Sequence, residues 1–157
     1  MPSGKATGRD SLEAIRRLLD GLARGSEVSE ICADVAGLHP NGDTFPGEVY
    51  LGLAARALGN MTAAGAGPVQ FHGLRAHHLP EIELRGRENR KFRFAALCAA
   101  AVGGGLEPDL LDEVDWWRTD DFWRYALLAT IAIIRASAEC RGLTVGEVVG
   151  ELSRDPV

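Results

Sequence analysis

Residues 122–138 read FWRYALLATIAIIRASA, and Arg124 and Arg135 are the only charged side chains in this run. A helix that is apolar nearly all round must be surrounded by other helices. The run falls short of the roughly 18–20 apolar residues that cross a bilayer, and it contains two arginines. It therefore predicts the buried central helix of an all-α fold and no membrane partner.

The overall composition is that of one globular domain. The chain has 157 residues, of which 46% are hydrophobic and 25% charged, which is enough to bury a core in a single unit. Its formal net charge is −5. This charge argues against a protein that coats nucleic acid through charge alone, but it leaves room for a local basic patch.

The N-terminal residues and the cysteines indicate a cytoplasmic protein. Residues 1–9 are polar and small, with no apolar run behind them, so we expect a flexible leader and not a secretory signal. Cys32, Cys98 and Cys140 form neither a C-x-x-C pair nor an even set. We expect them to be reduced, buried and inert thiols. Residues 10–157 then form a single helical domain.

Hydrophobic periodicity and capping residues divide this domain into about seven helices. The first helix starts at Asp10 or Ser11 and ends at Gly25. Ser26 caps the second helix, and Gly59 ends the third. Residues 69–84 show no clear period and leave their structure open.

The second half of the chain carries stronger helix signals. A helix is predicted over residues 87–102, and a short one opens at Glu107 and Pro108. The central helix runs to about Arg141. Thr144 and Glu147 have the spacing of a capping box and open the last helix.

Residues 85–93 read RGRENRKFR and carry five cations and one anion. Guanidinium groups bind carboxylates and phosphates in a bidentate way, whereas cations near a helix N-terminus oppose the helix dipole. Phe92 and Phe94 could stack on a single-stranded nucleic acid, or they could belong to the core. The ordinary alternative is a solvated helix start whose arginines pair with acids of the same chain. The predicted partner-binding cations are Arg85, Arg87, Arg90, Lys91 and Arg93.

A second cluster lies between residues 72 and 83. His72, His77 and His78 precede Glu81, and these residue types form zinc sites and general bases. Adjacent histidines point in different directions on a helix or a strand, so the spacing does not favour one metal centre. We expect no metal and no cofactor. The four residues are the candidate catalytic groups of an alternative enzyme function, and ordinary loop histidines are the competing interpretation.

Residues 112–123 combine all three tryptophans with five carboxylates. Aromatic faces and anions suit a cationic ligand, and tryptophan is a common anchor of protein interfaces. The competing interpretation is a packed corner before a helix whose N-terminus favours acids. Trp116 and Trp117 are adjacent and diverge by about 100° on a helix, so one of them should be partly exposed. Both are added to the predicted partner-binding surface.

Arg135 is the fourth candidate. On a helical wheel it shares a narrow polar stripe with Arg124 and Glu139, and Glu139 is close enough to pair with it. Arg135 could line a ligand pocket with Tyr125 and meet a carboxylate or a phosphate. We favour a structural ion pair with a carboxylate from residues 112–115.

No catalytic constellation is complete in the sequence. The glycines at 103–105 lack the Lys-Ser/Thr of a phosphate-binding loop, and no Gly-x-Ser-x-Gly occurs. The leading hypothesis is a non-enzymatic cytosolic binding or regulatory protein that acts through protein–protein contacts, with another protein or a second copy as partner. The alternatives are an enzyme with a His/Glu cluster in an interhelical pocket and a nucleic-acid-binding protein that uses the basic strip.

Overall fold

A computed structural model of the chain confirms the all-α fold. It describes residues 8–38, 48–65, 74–102 and 122–154, and this part of the chain is helical without a strand. The helices are α1 (Gly8–Arg24), α2 (Val28–Ala36), α3 (Glu48–Ala63), α4 (Leu74–His78), α5 (Arg87–Val102), α6 (Phe122–Arg141) and α7 (Val145–Arg154). The predicted leader, apart from the start of α1, and the short helix at Glu107 lie outside the described residues.

The central helix is α6. Every residue from Phe122 to Ala138 is buried except Trp123, Arg124 and Arg135. The helix packs against α2, α3, α4, α5 and α7. The apolar run is thus enclosed by other helices, as its composition predicts. No helix among the described residues is long and apolar enough to cross a membrane.

One buried hydroxyl ties α6 to α3. Thr130 is fully buried, and its Oγ1 lies 2.9 Å from the carbonyl oxygen of Tyr50 and 2.7 Å from that of Ala126. A buried hydroxyl needs a partner, and these two carbonyls supply it within the core. Burial also raises the pKa of the Tyr50 phenol, which keeps that ring neutral.

Helix α5 runs antiparallel to α6. The rings of Phe94 and Phe122 meet edge-on with 6.3 Å between their centroids. A second contact joins Lys91, three residues before Phe94, to Tyr125, three residues after Phe122. Lys91 Nζ lies 5.3 Å from the centroid of the Tyr125 ring. Since residue numbers fall along α5 as they rise along α6, the start of α5 lies beside the middle of α6.

The helix ends follow local signals in most places. Gly25 and Gly142 follow α1 and α6 with φ of 74° and 66°, a left-handed conformation that glycine adopts without strain. The predicted capping box of α7 is present: Glu147 N donates to Thr144 Oγ1 at 3.1 Å, and Thr144 N donates to Glu147 Oε1 at 2.9 Å.

Three predicted helix ends are wrong. Helix α1 starts at Gly8, before Asp10. The N-cap of α2 is Glu27 instead of Ser26, and its amide donates to Glu30 Oε1. Helix α3 continues through Gly59 to Ala63 because Met61 is 2% exposed. Burial of that side chain outweighs the cost of about 1 kcal/mol for glycine in a helix.

The cysteines differ from one another in environment. All three are free thiols, but only Cys98 is buried, while Cys32 is half-buried and Cys140 is exposed. The expectation of three buried thiols is thus confirmed only for Cys98; it is wrong for Cys140, which follows the buried part of α6, and Cys32 is only partly enclosed. Burial raises the pKa of Cys98 to about 11 and also raises that of Cys32, so neither is a thiolate nucleophile at neutral pH.

Candidate functional site

Three arginines form an exposed row at the start of α5. Arg87, Arg90 and Arg93 are spaced three residues apart and are exposed. We call them the arginine row. Within the described residues, no carboxylate lies within 4.0 Å of their guanidinium nitrogens. About 9 Å of helix rise separates Arg87 from Arg93. Each step of three residues falls about 60° short of a full turn, so the row follows an oblique ridge on the helix surface.

The other two predicted partner-binding cations are engaged within the chain. Arg85 Nε donates to Glu83 Oε1 at 2.7 Å, and both side chains are exposed. Lys91 is half-buried against the ring of Tyr125, where a cation is attracted by the negative ring face. The basic strip of the sequence therefore divides into the arginine row, which has no carboxylate partner among the described residues, and two cations that are engaged within the chain.

The aromatic residues of the same strip face the core. Phe92 is 2% exposed and Phe94 is 7% exposed. Neither ring is available for stacking on a nucleotide base. Their burial fixes the first two turns of α5 to the rest of the molecule, so the arginine row stands on a rigid helix. Trp116 and Trp117 lie outside the described residues.

The segment that leads into α5 is attached to α6. We call residues 79–86 the strap. Leu79 and Leu84 are buried, and Arg75 NH1 donates to the carbonyl oxygen of Ile82 at 2.7 Å. Gly86 ends the strap with φ of 57°, which suits glycine immediately before the helix. The strap therefore fixes where α5 begins.

Arg135 holds this strap. Its NH1 and NH2 lie 3.0 and 2.9 Å from the two carboxylate oxygens of Glu81, and NH1 also donates to the carbonyl oxygen of His78 at 3.0 Å. The guanidinium thus forms an ion pair within the chain. The expected carboxylates at 112–115 lie outside the described residues, and the partner seen is Glu81.

The two predicted pocket residues are not brought together. Tyr125 and Arg135 lie ten residues apart on α6, about 15 Å of helix rise. Tyr125 is 3% exposed under Lys91, whereas Arg135 is occupied by the strap. Glu139, the other predicted partner of Arg135, lies instead 3.8 Å from His78 Nδ1.

The histidine cluster is dispersed in the described part of the chain. The rings of His77 and His78 are 6.3 Å apart and tilted by 58°. No three His, Cys, Asp or Glu side chains among the described residues are placed to hold a metal ion. Glu81 pairs with Arg135, whereas His78 Nδ1 lies near Glu139. His72 lies outside the described residues.

Sequence reasoning missed which residues attach the strap. The sequence suggests only a metal site or catalysis for Glu81, although it is the carboxylate that meets Arg135, 54 positions along the chain. The one available signal was Arg135 itself, a charge inside an apolar helix that needs a partner. Nothing local identifies Glu81, since that pairing depends on the antiparallel path of α5 and the strap along α6.

Comparisons of the chain with protein-family models, with curated proteins and with solved structures found no match.

Proposed function

We propose that this protein is a non-enzymatic binding protein that recognises another protein through the arginine row. The observation that carries the proposal is the row itself: three exposed guanidinium groups on a rigid helix, without a carboxylate partner in the described residues. Arginine forms bidentate bonds to carboxylates and is weakly hydrated, which suits it to interfaces.

The local energetics support an external partner. Arg87 and Arg90 lie in the first turn of α5. There the positive end of the helix dipole destabilises each cation by about 0.3–1 kcal/mol. The described structure offers no contact that offsets this cost. A local conflict of this kind is expected where a residue serves binding instead of stability.

The free cysteines suit a reducing compartment, so the proposal places the interaction in the cytoplasm. Trp116 and Trp117 extend the surface predicted from the sequence. The arginine row alone defines the surface that we propose. The two tryptophans can be substituted after the row has been tested.

The experiment is capture of partners from host lysate on the full-length protein, followed by quantitative mass spectrometry. The test variant is R87Q/R90Q/R93Q. The control is R16Q/R24Q/R154Q, which removes three exposed arginines elsewhere and changes the net charge equally. Circular dichroism first checks that both variants are folded.

We expect one or a few proteins to be retained by the wild type and the control and lost by the arginine-row variant. If the row variant keeps every partner of the wild type, or if both variants lose the same proteins, the row is not the binding surface. Retention of nucleic acid without protein contradicts the proposal in favour of the nucleic-acid alternative.

A further inference from the structure

We propose that the arginine row binds an acidic α-helical segment of its partner, with carboxylates repeated at three- and four-residue spacing along one face. This inference rests on the proposed function and specifies the partner's chemistry. It starts from the geometry of Arg87, Arg90 and Arg93 on the surface of α5.

The spacing of the row matches a helix better than an extended strand. Residues three apart on a helix have Cβ atoms about 5–6 Å from each other, and carboxylates at i, i+3 and i+4 repeat at the same interval. Same-face side chains of an extended strand repeat at about 6.6 Å. The ridge formed by the row can therefore lie along a ridge of glutamates or aspartates, one guanidinium to each carboxylate.

The surroundings of the row favour carboxylates over a polyphosphate. Glu83 and Glu88 are exposed in the same stretch of chain, and the whole chain carries a net charge of −5. This field opposes a long, densely charged nucleic acid more strongly than a short segment that carries a few carboxylates. The row extends over only about two helix turns, which fits about three carboxylates, one for each guanidinium. The buried rings of Phe92 and Phe94 leave no stacking surface on these turns.

The row is also prepared for binding. Phe94 packs on Phe122, Lys91 lies against Tyr125, and Arg135 holds the strap that precedes Arg87. The backbone that carries the guanidinium groups is therefore fixed before the partner arrives. On the side of this protein, the conformational freedom lost on binding is that of side chains, which lowers the entropic cost of association.

The test uses synthetic probes on the full-length protein. Two peptides of about 18 residues, long enough to hold a helix in water, share one composition. The first places its glutamates along one helix face, and the second distributes the same glutamates around the helix. The third probe is an oligouridylate of about 12 nucleotides, within the range of single-strand binding sites. Binding is measured by fluorescence anisotropy at low and at moderate salt.

We expect the first peptide to bind and its affinity to fall as salt rises. Exposed ion pairs contribute little individually, so R87Q/R90Q/R93Q should weaken this binding about tenfold. The control R16Q/R24Q/R154Q should leave it unchanged. The distributed peptide and the RNA should bind more weakly than the first peptide.

Four results overturn the inference: no binding of the first peptide, equal binding of the two peptides, equal losses in the two variants, or tighter binding of the RNA through the row. The proposed function fails separately, because it depends on the proteins captured from lysate. If capture requires the arginine row but the acidic peptide does not bind, the protein is a binding protein whose partner has another chemistry.

Discussion

Helices α1 and α5 both expose arginines to solvent. The arginines of α1 form ion pairs within the helix, whereas those of the arginine row form none with the described residues. In α1, Glu13 accepts hydrogen bonds from Arg16 and Arg17, with Arg17 Nε at 2.8 Å, and Arg16 NH1 lies 2.9 Å from Asp20. Arg17 also reaches α2 through the carbonyl oxygen of Asp34. In α5, the arginine row has no such partner among the described residues.

This difference separates charges that serve the fold from charges that are available to a partner. The α1 pairs have the i, i+3 and i, i+4 spacings that stabilise a helix by themselves. Within α5, no acid lies three or four residues from an arginine of the row, and the row stands near the end of the helix where the dipole opposes cations. A charged helix is therefore evidence for binding only after its internal partners have been counted.

The largest expected effects on the free energy of unfolding come from core truncations, which test whether α1 and α5 are both packed on the hydrophobic core. Leu18 in α1 is fully buried and Phe92 in α5 is 2% exposed. Truncation of either one to alanine should lower the free energy of unfolding by about 3–4 kcal/mol, through lost burial and a cavity. Urea denaturation measures both changes.

The control for these two variants is Leu12→Ala, since Leu12 is 62% exposed in α1. It should change the free energy of unfolding by less than about 0.5 kcal/mol. A cost for Phe92→Ala as small as that of the control would show that α5 is not anchored. The arginine row would then not stand on a rigid helix, and its lack of ion pairs could not be compared with the paired arginines of α1.

A smaller effect is expected at the strap that positions α5. Arg135→Gln leaves Glu81 and the carbonyl oxygen of His78 without their donor. Because Arg135 and Glu81 are 25% and 42% exposed, solvent replaces part of the interaction. We expect a loss of about 1–2 kcal/mol, with faster hydrogen exchange across residues 79–86.

The matched control is Arg85→Gln, which breaks an ion pair between side chains that are 82% and 69% exposed. Such a pair is worth about 0.5 kcal/mol or less. Equal effects of the two substitutions would mean that Arg135 does not hold the strap. Unchanged exchange in the strap would lead to the same conclusion.

The features that the sequence predicted are those with a local signal. The run at 122–138 identifies a buried helix because its apolar residues cover all sides within a few turns. Thr144 and Glu147 identify the start of α7 because a capping box needs only four consecutive residues. Residues 85–93 are recognisable as basic for the same reason.

The division of those basic residues into free and engaged ones was not predictable. Lys91 is engaged because Tyr125, 34 positions away, lies beside it once α5 packs on α6. Arg135 meets Glu81 for a similar reason. Composition and periodicity do not encode which helices are neighbours or how they are aligned, so the arginine row became visible only in three dimensions.

Removal of the exposed charges should change stability in opposite directions in the two helices. R87Q/R90Q/R93Q should leave the free energy of unfolding unchanged or raise it by about 0.3 kcal/mol for each residue in the first turn, because those cations oppose the dipole. R16Q/R17Q removes formed ion pairs and should lower the Tm. Thermal melts at low ionic strength measure both, and high salt should reduce the difference. A row variant that melts as early as the α1 variant would show that the row has partners within the chain.

The smallest expected effect is on the titration of Glu13, which reports whether the ion pairs of α1 persist in solution. Hydrogen bonds from Arg16 and then Arg17 lower the pKa of this carboxyl from 4.5 to about 2. A carboxyl with a depressed folded-state pKa stabilises the protein above its unfolded pKa, and that contribution is lost as pH falls. Glu13 should therefore add stability above pH 4.5 and lose it between pH 4.5 and about 2. Carboxyl NMR should give a midpoint near the lower value, and E13Q should show a shallower loss of stability across that window. A midpoint at 4.5 would mean that the α1 pairs do not persist in solution, and the arginines of α1 would then be as free as those of α5.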